Sequence, residues 1–291
     1  MSTSARLEQI IERAGDLPAL PKAVSRVLAL TDDPDMDLSE VAEAIQTDPA
    51  LSAKILRISN SPYYGMRQYV GTLKLALVIL GAREIRNIVL GVAVFDALRT
   101  RKTASMLAGD FWKHSFETAA FSKKFGEYLK LTVHGEDFVA GLLHDIGKVV
   151  LMRQFEEEYA TIYAETRGWG DALCAAEDEA FGFTHAEAAA ALASYWNFPR
   201  TLVDGLMLHH PKRSMPLREA IDPSLAAIVR LANGTLRERG LEEDAAAQTS
   251  VGDAEAWEAL SEQLPELDED ERAQLLDSFV DAVASAPLPR L

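Results

Sequence analysis

The chain has 291 residues, with 29 Lys and Arg against 45 Asp and Glu, a formal net charge of −16, and 48% hydrophobic residues. That length supports one large domain or two with ample core, while the acidity (pI about 4.8) argues against a nucleic-acid partner, because such a surface repels a phosphate backbone. The single cysteine, Cys174, excludes an internal disulfide and fits a reducing cytoplasm.

The opening segment, MSTSARLEQIIERAGD, is charged and amphipathic from the start, which is unlike a secretory signal. Residues 3–15 are predicted to form a short helix with Leu7, Ile10 and Ile11 on one side, broken by LPALP at 17–21. Pro21 suits the first turn of a second helix carrying Val24, Val27, Leu28 and Leu30. Asp37 with Glu40 opens LSEVAEAIQ as a variant capping box. Asp48-Pro49 places a capping side chain and a first-turn proline before ALSAKILRISN, with Leu51, Ile55, Leu56 and Ile58 inside. This stretch has the rhythm of a helix-turn-helix DNA reader, but its second helix offers only Lys54 and Arg57 as bases, so it reads as a packed helical subdomain. Residues 72–80 and 83–98 follow as helices, with Gly81 as a C-terminal cap between them. The apolar runs 73–82 and 88–98 are too short to span a bilayer and are separated by Arg83, Glu84 and Arg86, so no membrane is expected. Arg99, Arg101 and Lys102 read as cations at a helix C-terminus. A soft boundary near here divides residues 1–105 from a second helical unit, 106–240.

In that unit, 111–131 is a long amphipathic helix bearing His114, with Trp112, Phe116, Ala119, Ala120 and Phe125 in its core. Residues 136–150, EDFVAGLLHDIGKVV, are predicted to be one helix with a wide buried face into which His144 and Asp145 are set. Lys148, one turn past His144, lies close enough to hold an anion beside them. Helices over 155–167 and 172–180 follow, and Cys174 in the second reads as a small buried residue rather than a nucleophile. Thr184 is a natural N-cap, with Glu187 at the capping-box position, so His185 falls in a first helical turn. Pro199 opens TLVDGLMLHH and Pro211 stops it just after His209 and His210. No fixed-period repeat, phosphate-cradling glycine loop, GxGxxG, GxSxG or CxxC occurs, which leaves a kinase or dehydrogenase unsupported.

A His and an Asp side by side on a buried face need partners. Those partners are either hydrogen-bonding neighbours, which would make His144 an ordinary core histidine, or a metal ion. His114, His185, His209 and His210 also sit in apolar, helical contexts, whereas His134 in LTVHGED reads as a loop residue. Imidazoles and one carboxylate from separate helices can build a site for a divalent transition metal, with Fe, Mn, Zn and Ni as the candidates, and Asp145 could bridge two ions.

The order H…HD…H…HH resembles the HD superfamily of metal-dependent phosphohydrolases. In the N-terminal half, LPALPKAVSRVLAL, IQTDPALSAKILRISNSPYYG and VGTLKLALVILGAREIRNIVLG resemble the HDOD family, a bacterial signalling branch, and the likeness runs from about Leu17 to Asn233. It implies an all-α fold, an HD-type multi-helix bundle with an N-terminal helical subdomain, and a regulatory role exerted on other signalling proteins. It also implies two departures. Asn233 stands where active HD phosphohydrolases usually place a final Asp ligand, and an amide oxygen is a neutral, weaker ligand. The GYP element that follows the paired histidines in cyclic dinucleotide phosphodiesterases is replaced by PKRSMPLREA.

Residues 241–291 form an acidic extension outside the resemblance, with fourteen carboxylate residues against Arg272 and Arg290. Two apolar stripes, Trp257/Leu260/Leu264 and Leu275/Leu276/Phe279/Val280/Val283, predict that it docks on its own core or on a partner. Two functions follow. One is a non-catalytic signalling module with a partly retained metal site of His114, His144, Asp145, His185, His209, His210 and Asn233. The other is a metal-dependent phosphohydrolase in which Asp145 and Lys148 act at the phosphate.

Overall fold

The computed structural model describes residues 7, 20–31, 33, 35–61, 64, 66, 68–98, 109–131, 135–211, 215–240 and 250–285. Of the expected helix at 3–15 only Leu7, helical and buried, is among these residues; the basic cluster Arg99/Arg101/Lys102, the boundary near 105, His134 and the start of the acidic extension lie outside them. Among the described residues all regular structure is helical.

The N-terminal helices are α1 (Lys22–Thr31), α2 (Leu38–Gln46), α3 (Pro49–Ser59), α4 (Leu73–Leu80) and α5 (Ala82–Leu98). Their ends follow local chemistry. The Asp48 carboxylate accepts from the backbone N–H of Ala50 and Leu51 at 3.0 Å each, and Pro49 occupies the first helical position. Such a cap is worth about 1 kcal/mol. Thr72 caps α4, and Gly81, at φ 86°, turns the chain into α5. Val24, Val27, Ile45, Ile55 and Val89 form the inner face of this group.

The second group comprises α6 (Gly109–Tyr128), α7 (Glu136–Leu143), α8 (Ile146–Gln154), α9 (Glu156–Glu165), α10 (Gly170–Phe181), α11 (His185–Tyr195), α12 (Arg200–Met207) and α13 (Pro223–Gly240). Helix α7 is its centre and packs on α5, α6, α12 and α13. Gly141 allows the closest of these approaches, since a Cβ there would press on the backbone of Thr118 and Ala119. Helix α8 packs on α11, which in turn packs on α12.

The expected single helix over 136–150 is in fact two, broken at His144-Asp145. Asp145 sits at φ −94°, ψ 5°, in the bridge region, and the chain redirects there. A Cβ at Gly147 would collide with the carbonyl oxygen of His185, so the start of α8 is jammed against the start of α11. Periodicity missed the break because residues 137–143 and 146–152 are buried on every side, which leaves no polar face to fall out of phase. His209 and His210 likewise lie just past the end of α12 rather than within it, since the helix closes with Leu208 N–H on Asp204 O.

The acidic extension supplies α14 (Ala254–Ala259) and α15 (Glu269–Ala284). Phe279 meets Phe121 and Phe125 of α6 at ring-centroid distances of 5.4 and 5.0 Å, and Leu276 and Val283 are buried beside it. Each such side chain contributes about 1.5–3 kcal/mol when fully buried. The docking predicted from the apolar stripes is thus made on the chain's own bundle. No helix among the described residues is long and apolar enough to cross a membrane.

Candidate metal centre

Five histidines from four places in the chain converge on Asp145. They form two groups that share its carboxylate: Asp145, His185, His209 and His210 in one, and His114, His144 and Asp145 in the other. Within each group the ligand atoms lie within 4.8 Å of one another, and every residue is buried. His134, set aside in the sequence, is outside the described residues.

The outer nitrogens of three rings decide which atom faces inward. His144 Nδ1 donates to Gly141 O at 2.7 Å, and His209 Nδ1 donates to Leu206 O at 2.6 Å. His185 Nδ1 donates to Glu177 Oε2 at 2.7 Å. A carbonyl or carboxylate can only accept, so these contacts place the hydrogen on Nδ1 and leave Nε2 as a bare lone pair whenever the ring is neutral. The lone pairs point at one another and at Asp145. His185 Nε2 lies 3.1 Å from His210 Nε2 and 3.3 Å from His209 Nε2. Asp145 Oδ1 lies 3.3 Å from His185 Nε2 and 3.6 Å from His209 Nε2, and Oδ2 lies 3.3 Å from His144 Nε2. His144 Nε2, Asp145 Oδ1 and His210 Nδ1 have no hydrogen-bond partner of ordinary geometry.

Burial and the surrounding charges keep much of this cluster short of protons. Burial lowers His209 to about 3, and burial with His144 beside it lowers His114 to about 3. His210 is also lowered, by burial and then by His209 and His185. Asp145 is held below the ordinary carboxylate range: burial works against ionisation, but His144 and Lys148 more than offset it. His185 is the exception. Burial lowers it, yet the carboxylates of Glu177 and Asp145 outweigh that effect and raise it. A proton on His185 is therefore the competitor that a metal must displace.

This arrangement fits a cation. Two ligand atoms bonded to one ion at ~2.1 Å stand roughly 3.0 Å apart at a right angle and roughly 3.4 Å apart at the tetrahedral angle. The contacts around Asp145 fall in or near that range, and acceptors facing acceptors at such distances repel unless a positive charge lies between them. Three imidazoles and a carboxylate are a donor set for a divalent transition metal. Asn233 adjoins the second group: its Oδ1 lies 3.0 Å from His114 Nε2, and its Nδ2 donates to His209 O at 3.4 Å.

Lys148, expected to be available for an anion, is committed elsewhere. Its Nζ donates to Asp145 Oδ2 at 2.7 Å and to Gly168 O at 3.1 Å, and lies 4.4 Å from the Trp169 ring centroid. The Trp169 ring also packs edge-on to His114 at 4.6 Å. The turn that carries it has positive φ at Arg167, Gly168 and Gly170. The sequence reading passed over this turn, although a tryptophan between two glycines was a visible signal of a tight bend.

Glu177 was also missed. It is fully buried, accepts from Tyr159 Oη at 2.7 Å and His185 N–H at 2.9 Å, and holds His185 Nδ1. It orients the His185 ring and raises its basicity, the part a carboxylate plays behind a metal-binding histidine. Cys174, beside Glu177 and His185, is buried as expected.

Comparison with known proteins agrees with this geometry. The HDOD domain family profile matches residues 17–212. An uncharacterized protein of Treponema pallidum (strain Nichols) is 27% identical over 242 residues, which cover 81% of this chain but only 45% of the relative, so the chain spans about half that protein's length. A crystal structure of a candidate phosphohydrolase from Shewanella amazonensis SB2B is similar at TM-score 0.70 and 26% identity, covering 97% of this chain and 98% of the other. An HDOD domain protein of unknown function from Geobacter sulfurreducens is similar at TM-score 0.73 and 25% identity, covering 98% and 99%. A candidate signal transduction protein from Marinobacter aquaeolei VT8, at TM-score 0.68 and 21% identity, covering 97% of this chain and 63% of the other, shares the fold. The motifs, the helical architecture and the profile match coincide on one conclusion: the chain belongs to the HDOD domain family.

Proposed function

We propose that this protein is a cytoplasmic regulatory module that holds a divalent transition metal through Asp145, His185, His209 and His210 and acts by binding other signalling proteins rather than by turnover. The observation that carries the metal assignment is the convergence of the His185, His209 and His210 ring nitrogens on the Asp145 carboxylate, with Nδ1 of His185 and His209 already bonded outward. When bound, such an ion supplies Lewis acidity toward an anionic ligand. The chain's own residues do the rest. Glu177 fixes the His185 ring, the Leu206 and Gly141 carbonyls fix His209 and His144, and Lys148 keeps Asp145 ionised. The three-part division at about residues 105 and 240 belongs to the same proposal.

A metal-dependent phosphohydrolase is the second reading, favoured by one feature: Asp145 belongs to both ligand groups, as a bridging carboxylate would. Against it stands Asn233, a neutral amide beside His114 where a second ion would need negative charge. Metal analysis of protein purified without chelator or a metal-binding tag tests the first part, and bound Fe, Mn, Zn or Ni is expected. Wild type and Asn233→Asp, loaded with manganese or iron and given common phosphate esters and cyclic dinucleotides, test the second. The module reading expects an inert wild type and a gain in Asn233→Asp. Turnover by wild type at an ordinary enzymatic rate would overturn it in favour of the phosphohydrolase.

A further inference from the structure

Helix α4 has an outer face that nothing among the described residues covers. Leu73, Ala76 and Leu77 are buried where α4 packs on α2, α3 and α5, whereas Leu75, Val78 and Ile79 are exposed, Val78 at 71%. Positions 75, 78 and 79 stand at i, i+3 and i+4, so their side chains form one apolar ridge. Tyr69, 80% exposed, leads into it, and Leu38 is exposed at the start of α2. Single apolar side chains on a surface are ordinary, but a contiguous ridge of them marks a contact. This ridge lies in a basic stretch: residues 49–91 hold six Lys and Arg against Glu84 alone, in a chain of net charge −16. Glu84 is committed to Lys123 of α6 at 3.5 Å. Lys74, one turn before Val78, and Arg83, just past Gly81, are exposed and have no ion pair among the described residues.

A surface of the opposite character is on the same molecule. From Asp253 to Glu271 the chain has nine carboxylates and no Lys or Arg. There a groove of about 390 Å³ is lined by Trp257, Leu264, Pro265 and Leu267, with Glu258 and Glu266 in its walls. Both glutamates are exposed. The one cation in the lining, Arg272, is turned onto the Trp257 ring at 5.1 Å, and its Nη1 lies 3.5 Å from Val251 O. Helices α14 and α15 pack on α13 and α6, and α4 packs within the N-terminal group, so ridge and groove belong to different parts of the fold.

We propose that the occupant of this face is a second copy of the chain, docked head to tail, with the α4 ridge of one copy seated in the acidic groove of the next. Charge decides the pairing. Ridge on ridge would set Lys74 and Arg83 against their own equivalents, and groove on groove would oppose carboxylates. Ridge in groove brings apolar surface to apolar surface and cations to carboxylates. It also gives two molecules of net charge −16 a face on which they attract, where most of their surface repels. Such a contact uses different patches on the two copies, so it propagates into a ring or an open chain. It is independent of the metal centre and holds whether or not that centre is occupied.

The test is sedimentation equilibrium of the full chain at low ionic strength, carried up to about 100 µM. The mass of wild type should rise with concentration beyond that of one chain. Val78→Glu spoils the ridge, and Glu258→Lys combined with Glu266→Lys spoils the groove. Each variant should lose at least about 10-fold in self-association. Mixed, the two should form a 1:1 dimer, because one keeps its groove and the other its ridge. A wild type that stays monomeric overturns the proposal and leaves the ridge to a different protein. Self-association that either variant retains in full, or that mixing fails to restore, puts the interface elsewhere or makes it symmetric, and overturns the proposal as well. The substituted side chains are exposed, so both variants should melt with wild type. A lower Tm for Val78→Glu would show that the ridge is covered by the chain's own residues, which equally removes the second copy from it.

Discussion

The two ends of α7 each carry a buried polar cluster, and the two are balanced by different means. At the N-terminal end, Asp137 lies with Lys123 of α6 and Glu84 of α5. Lys123 Nζ is 3.5 Å from Glu84 Oε1, 3.2 Å from Glu127 Oε1 and 4.7 Å from the Tyr64 ring centroid. Burial raises Asp137 to about 7 despite Lys123, so a proton is available whenever the single ammonium does not suffice. At the C-terminal end, His144 and Asp145 join the other imidazoles. There the Nδ1 hydrogens of His144, His185 and His209 are already committed outward, to carbonyls and to Glu177, so their Nε2 atoms face inward as acceptors whenever those rings are neutral. A cluster of carboxylates around a lysine can close its own balance with a proton. A cluster of imidazoles locked at Nδ1 closes most readily with a cation. The first is a joint between the N-terminal helices and the bundle, and the second is a candidate site.

The largest effect that would break this comparison is at Asp145. Asp145→Asn keeps the shape but removes the one carboxylate shared by both ligand groups. Bound metal is expected to fall below detection by elemental analysis, and the rise in Tm that added manganese gives wild type should vanish with it. A variant that still holds metal would place the ion elsewhere. Next in size is Lys123→Met. It leaves the carboxylates of Glu84 and Asp137 without their cation in a buried joint, and loss of one partner from a buried pair costs about 3 kcal/mol or more. Denaturant unfolding measures this, and the metal content of the folded variant should be unchanged. Loss of metal with the joint would mean that the two ends of α7 are not independent.

A smaller effect is in pH. The Asp137 carboxyl, raised from 3.8 to about 7, binds a proton in the folded chain that the unfolded chain does not bind between those values. Its contribution to stability is therefore fully present below about 3.8 and is lost as pH rises through about 7. Asp137→Asn does not titrate. The stability of wild type relative to this variant should fall steadily across that window and be flat above it, in denaturant unfolding run at a series of pH values. A flat difference throughout would show that Lys123 alone balances the joint.

Local chemistry in the sequence went far toward the fold and less far toward the site. Asp48-Pro49, Gly81, and Thr184 with Glu187 mark helix ends in residues that act on their own neighbours, and the structure uses each as read. The histidines were legible because a buried imidazole is conspicuous among alanines and leucines. What escaped depends on distant elements. Glu177 sits in AAEDEA, an acidic run that reads as a solvated face. Only Tyr159 from α9 and the start of α11 make it a buried carboxylate. The break at His144-Asp145 escaped for the opposite reason, since apolar residues continue on every side of it.

Glu177 also supplies the finest test of the centre, because Glu177→Gln separates charge from shape. The carboxylate receives three donors: Tyr159 Oη on Oε1, and His185 N–H and Nδ1 on Oε2. A glutamine can keep its oxygen toward His185 and turn its amide toward Tyr159, whose hydroxyl can accept as well as donate. The geometry survives, and the negative charge behind the imidazole is lost. Metal affinity should then drop by about 10–100-fold, as for other carboxylates that back a ligand histidine. The pH dependence should move as well. Glu177 is the leading group that raises His185, so its neutralisation lets that ring shed its proton at lower pH. Metal uptake should accordingly begin at lower pH than in wild type, even though the plateau affinity is weaker. A residue that merely capped α11 would change stability without moving the pH midpoint of metal uptake, and that result would reduce Glu177 from a tuner of the metal centre to a part of the scaffold.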